Sequence, residues 1–315
     1  MFSFLANNKR PLAVTIPLTV FVLVLLSGSW IGYSFYSQIS KQITNETITE
    51  LKKDSELVNL LLQVEYRQAY RDLVILSRSI ALRGVTDNLM SNDNDLKQQK
   101  RLGFEKLAAQ LLATTPSYSQ VRIIENITPG NEVARVDKKN NEIIIVEPKD
   151  YQNKARRDYF KNAVRTKQGQ VYISDITLNR EYGEVVYPIE PVLRFSAPIY
   201  DASNQVVAVV VLNIDFNANI EMLRSINPPD ASLVLVNQYG DYLIQDDMNR
   251  VFGFDQNSRY KIQDDYPELG RLFSDKVAAE RLVDVSTVNG DVVDAYYMQL
   301  SFDRINYNNK FALVY

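Results

Sequence analysis

The chain has 315 residues, 46% of them hydrophobic, with no cysteine, no histidine and a formal net charge of −3. That length exceeds one average domain and suits two, each with a core of its own. Without cysteine there are no disulfides, thiolate nucleophiles or thiolate metal sites, and without histidine the usual general base and the commonest metal ligand are missing. The 35 basic side chains are outnumbered by 38 acidic ones, a balance that does not suit a phosphate-tracking surface. Enzyme chemistry, a metal, a cofactor and a nucleic-acid partner are therefore not expected of this chain.

From Pro11 to Ser40 no charged residue occurs, and PLAVTIPLTVFVLVLLSGSWIGYSF supplies about 25 mostly apolar residues where a membrane-spanning helix needs about 20. Lys9 and Arg10 precede the run, and Trp30, Tyr33, Phe35 and Tyr36 gather at its far end, as expected for basic residues inside and an aromatic belt outside. Residues 1–10 are read as a cytoplasmic N-terminus and 11–36 as a transmembrane helix in a bacterial inner membrane. Everything beyond is read as periplasmic, where a cysteine-free domain of this size relies on its core. A cleaved signal peptide is the competing reading, with Ser27-Gly28-Ser29 as its small residues, but the apolar run continues past them.

Residues 37–114 read as helical. Ile39, Ile43, Leu51, Leu57, Leu61, Val64, Leu73, Leu76 and Ile80 recur at helical spacing with no proline and no glycine before Gly84. This predicts a stalk helix of about 45 residues rising about 1.5 Å per residue. A polar break at SNDNDLKQQK precedes a second helix from Asp95 to Ala113. From Gln120 the pattern changes to short apolar runs between turn residues: VRIIENI, NEVARVD, EIIIVE, QVYISDI, PVLRFSAPIY and QVVAVVVLNIDF. Hairpin loops at Asp137–Asn141 and Tyr200–Asn204 predict an antiparallel sheet with helices on one side. After a helix at Asn217–Ser225, the Asn227-Pro228-Pro229-Asp230 break opens a second round: SLVLVNQYGDYLI, a helix at Tyr266–Phe273, and strands at RLVDVSTV, DVVDAYYMQL and the final FALVY. The fold class is α+β, with one sheet module over 115–228 and another over 229–315.

NKARRDYF and GQVYISDI followed by PVLRFSAPIYDASNQVVAVVVLNIDF resemble the membrane-distal module of the double Cache (double PDC) sensor domains of bacterial receptors. VNQYGDYLIQDD resembles the strand-turn-strand opening of the membrane-proximal module, so the resemblance covers residues 37–315. It implies two tandem PAS-like modules, of which the distal one takes a small ligand, often an amino acid or carboxylate. It further implies a second membrane span after Tyr315 and an output domain of histidine kinase, diguanylate cyclase or chemotaxis type.

In the family's amino-acid-binding members an arginine, followed after one residue by two aromatics, grips the ligand carboxylate, and an aspartate late in a following strand holds the amine. The resemblance places these on Arg157, on Tyr159 with Phe160, and on Asp215. The chemistry is sound: a guanidinium fork matches a carboxylate, and rings pack on its face. The chain departs from the motif in having Tyr-Phe where the family has Trp-Tyr, and in placing the upstream tyrosine at Tyr151, with Gln152 where the family has that tyrosine. Lys154 and Arg156 add cations that suit a dicarboxylate as well as a zwitterion. Tyr172, Asp175 and Arg194 complete the candidate set.

Each has a structural alternative. Arg157 would pair with Asp158 or Asp175, Tyr159 would face the ligand while Phe160 joins the core, and Asp215 would cap the helix starting near Asn217. Strand alternation would place Tyr172 with Ser174 and Ile173 with Asp175 on opposite faces, so that one set lines a pocket. The acids of GDYLIQDDMNR lack the spacing of a calcium loop and read as a solvated hairpin end. The sequence thus predicts the ligand-sensing region of a transmembrane receptor that binds a small carboxylate or amino acid and is a homodimer through its long helix. The alternative is an ectodomain that reads a periplasmic partner protein.

Overall fold

The computed structural model describes residues 12–88, 93–226, 231–274, 277–301 and 310–314. The cytoplasmic segment expected at 1–10, part of the SNDNDLKQQK break, the Asn227-Pro228-Pro229-Asp230 break and Tyr315 lie outside them. The chain forms two compact units, Met1–Leu51 and Lys52–Tyr315. The first holds the N-terminal part of helix α1 (Leu12–Ser77). Among the described residues α1 is the one helix long and apolar enough to cross a membrane, its most apolar window having a mean hydropathy of 1.8. Ile16, Phe21, Leu23, Trp30 and Tyr36 are each at least 55% exposed, which is not how a core helix presents such side chains.

In the second unit, α1 buries Val58, Leu62, Tyr66, Ala69, Leu73 and Leu76, a stripe at helical spacing. Leu57, Leu61 and Val64, prominent in the sequence periodicity, lie on another stripe and remain at least 40% exposed. Helix α2 (Ile80–Asp87) is capped by Ser79, whose Oγ accepts from the Leu82 N–H at 3.1 Å. Helix α3 (Asn94–Thr114) is capped in the same way by Asp93 and buries Phe104, Ala108 and Leu112.

The first sheet is built from β1 (Tyr118–Glu125), β2 (Glu132–Lys139), β3 (Glu142–Ile145), β4 (Tyr172–Ile173), β5 (Thr177–Leu178), β8 (Pro191–Tyr200) and β9 (Val206–Asp215). Between them stand α4 (Asp158–Val164) and a small hairpin, β6 (Arg180–Glu181) with β7 (Glu184–Val185); α5 (Asn217–Ile226) follows. The order is β3-β2-β1-β9-β8-β4, with β5 also on β8, and every pairing is antiparallel. Both expected hairpin loops are present. Asn140 and Asn141 turn with φ of 50° and 66°, and Asp201 Oδ1 accepts from the Ser203 and Gln205 N–H groups at 2.9 and 2.8 Å.

Alternation gives this sheet two distinct faces. Leu193, Phe195, Val210, Leu212, Val121 and Ile123 form an apolar face, with the Tyr66 ring of α1 6.0 Å from that of Phe195. The opposite face carries Gln120, Arg122, Arg135, Asp137, Arg194, Ser196 and Asn213, all buried. The segment before α4, and α4 itself, pack over this polar face: Tyr159, Phe160 and Ala163 cluster with Ile124, Val209 and Val211.

The second sheet comprises β10 (Val234–Asn237), β11 (Tyr242–Ile244), β12 (Ala279–Ser286), β13 (Val292–Ser301) and β14 (Lys310–Val314), in the order β11-β10-β14-β13-β12. The final strand therefore lies at its centre. The helix expected at Tyr266–Phe273 is instead two short ones, α6 (Ile262–Asp265) and α7 (Gly270–Ser274), parted by a 3-10 turn that Pro267 begins, because proline cannot donate within a continuing helix.

Gly130 governs how the segment bearing Lys154 and Arg157 approaches the sheet. Its φ is +92°, and a Cβ there would lie 2.2 Å from the Ala155 nitrogen. We expect Gly130→Ala to lower stability by about 2–4 kcal/mol in urea unfolding. A change under half of that would show that the segment retreats without cost.

Candidate functional site

The polar face is organised around Arg135. Its Nε and Nη2 donate to Asp137 at 2.9 and 2.8 Å, and its Nη1 and Nη2 donate to Glu181 at 3.1 and 2.8 Å. Arg122 Nη1 donates to Glu132 at 2.7 Å, and Glu132 Oε2 accepts from the Gln152 N–H at 3.0 Å. Burial works against ionisation of Glu181, but Arg135 beside it holds the carboxyl below its usual range.

Lys154 is 6% exposed, and its Nζ donates to Gln152 Oε1 at 2.7 Å. Burial, reinforced by the charge of Arg122, lowers its pKa to about 8. Arg194 is 3% exposed, donates from Nη1 to Thr177 Oγ1 at 2.8 Å and lies 5.3 Å from the centre of the Tyr159 ring. Burial, with Arg122 and Arg157 nearby, lowers its pKa to about 10. Arg157 is the N-cap of α4 and only half-buried. Its side chain makes no hydrogen bond or ion pair among the described residues, so the pairing with Asp158 or Asp175 considered from the sequence does not form.

The structure thus brings Arg157, Tyr159 and Arg194 together, with Lys154 beside Arg122 and Glu181 on the same side of the sheet. Tyr159 and Phe160 do not divide between ligand and core, since both are buried in one cluster, although only the Tyr159 ring also meets a guanidinium. Tyr172 reaches the same face, opposite Ser196. β4 ends at Ile173, so strand alternation does not govern Asp175, which stands near Tyr172 and Asp158; burial and Asp158 raise its pKa. Tyr151 turns away, donating its hydroxyl to Glu105 of α3 at 3.3 Å, while Gln152 points inward and bonds Glu181 and Lys154. Asp215 accepts from the Asn217 N–H at 2.9 Å at the start of α5 and also lines a cavity of about 400 Å³ with Gln120, Asn179, Glu190 and Asn213. Arg122, Arg135, Glu132 and Glu181 were not singled out from the sequence. The signal was present, since Gln120/Arg122 and Arg135/Asp137 place polar residues at alternate positions of otherwise apolar strands.

The candidate calcium stretch is dispersed: Asp241 pairs with Arg259, Asp246 and Asp247 are exposed, and no metal-holding group of acids occurs among the described residues.

Lys154 sets a pH dependence. Native Lys154 releases its proton near pH 8, whereas in the unfolded chain it does so near its ordinary value of about 10.4. The unfolded state then binds more protons between those values, and stability rises with pH across that window. Lys154→Met should flatten the rise from pH 8 to 10 in denaturant titrations; an unchanged slope would place the lysine in water.

Residues 62–281 match the sensor domain of bacterial histidine kinases. No curated protein sequence matches the chain. Among solved structures, the chain is similar to the extracellular domain of vpHK1S-Z8, assigned as a histidine kinase, at 20% identity and a TM-score of 0.67, covering 86% of this chain and 90% of that one. It is similar to a domain of a sensory box/GGDEF family protein from Vibrio parahaemolyticus at 20% identity and a TM-score of 0.65, covering 86% and 94%. It also resembles, at 13% identity and a TM-score of 0.52, the ligand-binding domain of the Pseudomonas aeruginosa PAO1 amino acid chemoreceptor PctB in complex with L-Gln, covering 83% and 87%. These neighbours share the α+β fold expected from the Cache resemblance. The sensor-domain match spans more than half of the sequence, and the chain belongs to the bacterial histidine kinase sensor-domain family.

Proposed function

We propose that the chain is the periplasmic ligand-sensing region of a receptor anchored in the bacterial inner membrane by residues 11–36. Its first module, residues 115–228, binds a small carboxylate or amino acid, and its second, residues 229–315, relays the change toward a signalling domain; the chain itself catalyses nothing. The observation that carries this reading is Arg157: a half-buried guanidinium near Arg194, whose side chain makes no hydrogen bond or ion pair among the described residues. A carboxylate supplies the acceptor that the protein withholds. The bound glutamine of the PctB neighbour supports the ligand class only as an analogy of fold.

A route to the second module is built into the same region. Asp255, in the 3-10 turn Gly253–Asp255, accepts from the Leu178 N–H at 2.7 Å and from Arg180 at 2.9 Å. Leu178 follows Thr177, the hydroxyl to which Arg194 donates. A shift of Arg194 on ligand binding then bears directly on a contact between the two modules. The exposed stripe Leu57, Leu61 and Val64 gives α1 an apolar face for a second copy, so the receptor is proposed to act as a homodimer.

The first test is a thermal-shift screen of the full chain in detergent against amino acids and mono- and dicarboxylates. A ligand at a hundred times its Kd stabilises the fold by about 2.7 kcal/mol. Arg157→Ala should abolish the shift while leaving the ligand-free melting temperature within about 2 °C. If the variant melts far lower and no compound shifts the wild type, the arginine is structural and a partner protein is the better reading. For the relay, Asp255→Asn should preserve ligand affinity within about threefold but remove any ligand-induced change in amide exchange at Tyr242–Ile244; retained protection changes there would reject Asp255 as the link.

A further inference from the structure

Four buried polar atoms without a hydrogen-bond partner crowd one patch of the first sheet: Arg122 Nε, Arg194 Nε, Ser196 Oγ and Asn213 Oδ1. The register explains the crowding. Ser196 and Arg122 both stand opposite Val211, and Arg194 and Gln120 both stand opposite Asn213, so two successive rungs across β8, β9 and β1 bring these side chains to one face. A buried donor without a partner loses the hydrogen bond that water would have given it, and several in one place mark where something else completes them.

The charges point the same way. Arg122, Arg135, Lys154, Arg157 and Arg194 converge on this face, and the carboxylates bonded to them are Glu132, Asp137 and Glu181, which leaves two positive charges uncompensated. Of the other nearby acids, Asp215 bonds the Asn217 N–H, Glu190 bonds Asn179 and Asp255 bonds Arg180, while Asp158 and Asp175 make no ion pair with these cations among the described residues. Three of the four orphan atoms can donate: two guanidinium N–H groups and a hydroxyl. Three donors at one place suit the oxygens of an acid group.

We propose that the ligand of the first module is a dianion with two acid groups, one held by Arg157 and the second received by the patch of Arg194, Arg122 and Ser196 on the sheet. This rests on the carboxylate-sensor reading and narrows it. The Tyr159 ring faces the Arg194 guanidinium of that patch. Asn213 Oδ1, the one orphan acceptor, is left for a ligand hydroxyl or a water.

Titration calorimetry on the full chain in detergent separates the possibilities, with dicarboxylates of three to six carbons set against monocarboxylates and ω-amino acids of the same lengths. At least one dicarboxylate should bind about ten to a hundredfold more tightly than both partners of equal length. Arg194→Met should erase that preference without lowering the melting temperature of the ligand-free chain, because an unpaired buried cation does not stabilise the fold. Ser196→Ala, the milder change, should weaken the dicarboxylate severalfold. If an ω-amino acid or monocarboxylate binds as tightly as its dicarboxylate, the dianion is wrong while the carboxylate-sensor reading stands. If no acid of any class binds, both fall.

Discussion

Arg135 makes charge-assisted hydrogen bonds to Asp137 on its own strand and to Glu181 on the β6–β7 hairpin, and it also lies in ion-pair range of Glu132, all while 5% exposed. The polar side of the first sheet depends on this one guanidinium. A sheet buried on both sides must fill both faces, and charges there persist only when paired. Arg135 pairs the carboxylates, Glu181 in turn accepts from Gln152, and Gln152 accepts from Lys154, so the segment leading into α4 is fastened to the sheet by polar contacts. An ion network of this kind contributes little net stability compared with apolar packing, yet it specifies a single arrangement. The opposite face, closed by α1 and α3 over Phe195 and its neighbours, supplies the hydrophobic stabilisation.

With the carboxylates committed to Arg135 and Arg122, the remaining cations have only neutral partners. Lys154 has an amide, Arg194 a hydroxyl and an aromatic ring, and Arg157 has none among the described residues. Burial disfavours the charged forms of Lys154 and Arg194, and Arg122 beside them adds to the cost. Binding sites characteristically hold such unmatched groups, because a site fully satisfied by its own protein has nothing left to offer a ligand. The same region touches the 3-10 turn Gly253–Asp255 through Asp255, so the least satisfied part of the structure adjoins the segment between β11 and β12.

The antiparallel pairing, the two hairpin loops, the α+β class and the boundary between helical and sheet regions were legible in the sequence, because each follows from local periodicity and turn chemistry. The apolar run at 11–36 was legible for the same reason, as length and hydropathy are local quantities. Residue types in the motif NKARRDYF drew attention to its cations and rings, and the helix-start alternative for Asp215 was a local inference, its carboxylate accepting from the Asn217 N–H.

Tertiary structure alone decided which cations stay unpaired. Arg135 and Arg194 look alike in the sequence, each set within an apolar strand, yet one meets carboxylates from two elements and the other meets a hydroxyl and a ring. The difference arises from strand register and from the path of the 146–190 segment over the sheet, which bring Glu181 to Arg135 and Thr177 to Arg194. Likewise the sequence supplied one apolar periodicity along α1, and only packing showed that Leu73 and Leu76 of that series face the core, together with Leu62 and Tyr66, while Leu57 and Val64 do not. Periodicity fixes what lies on one face of an element, but which face is covered, and by whose charge, depends on residues far along the chain.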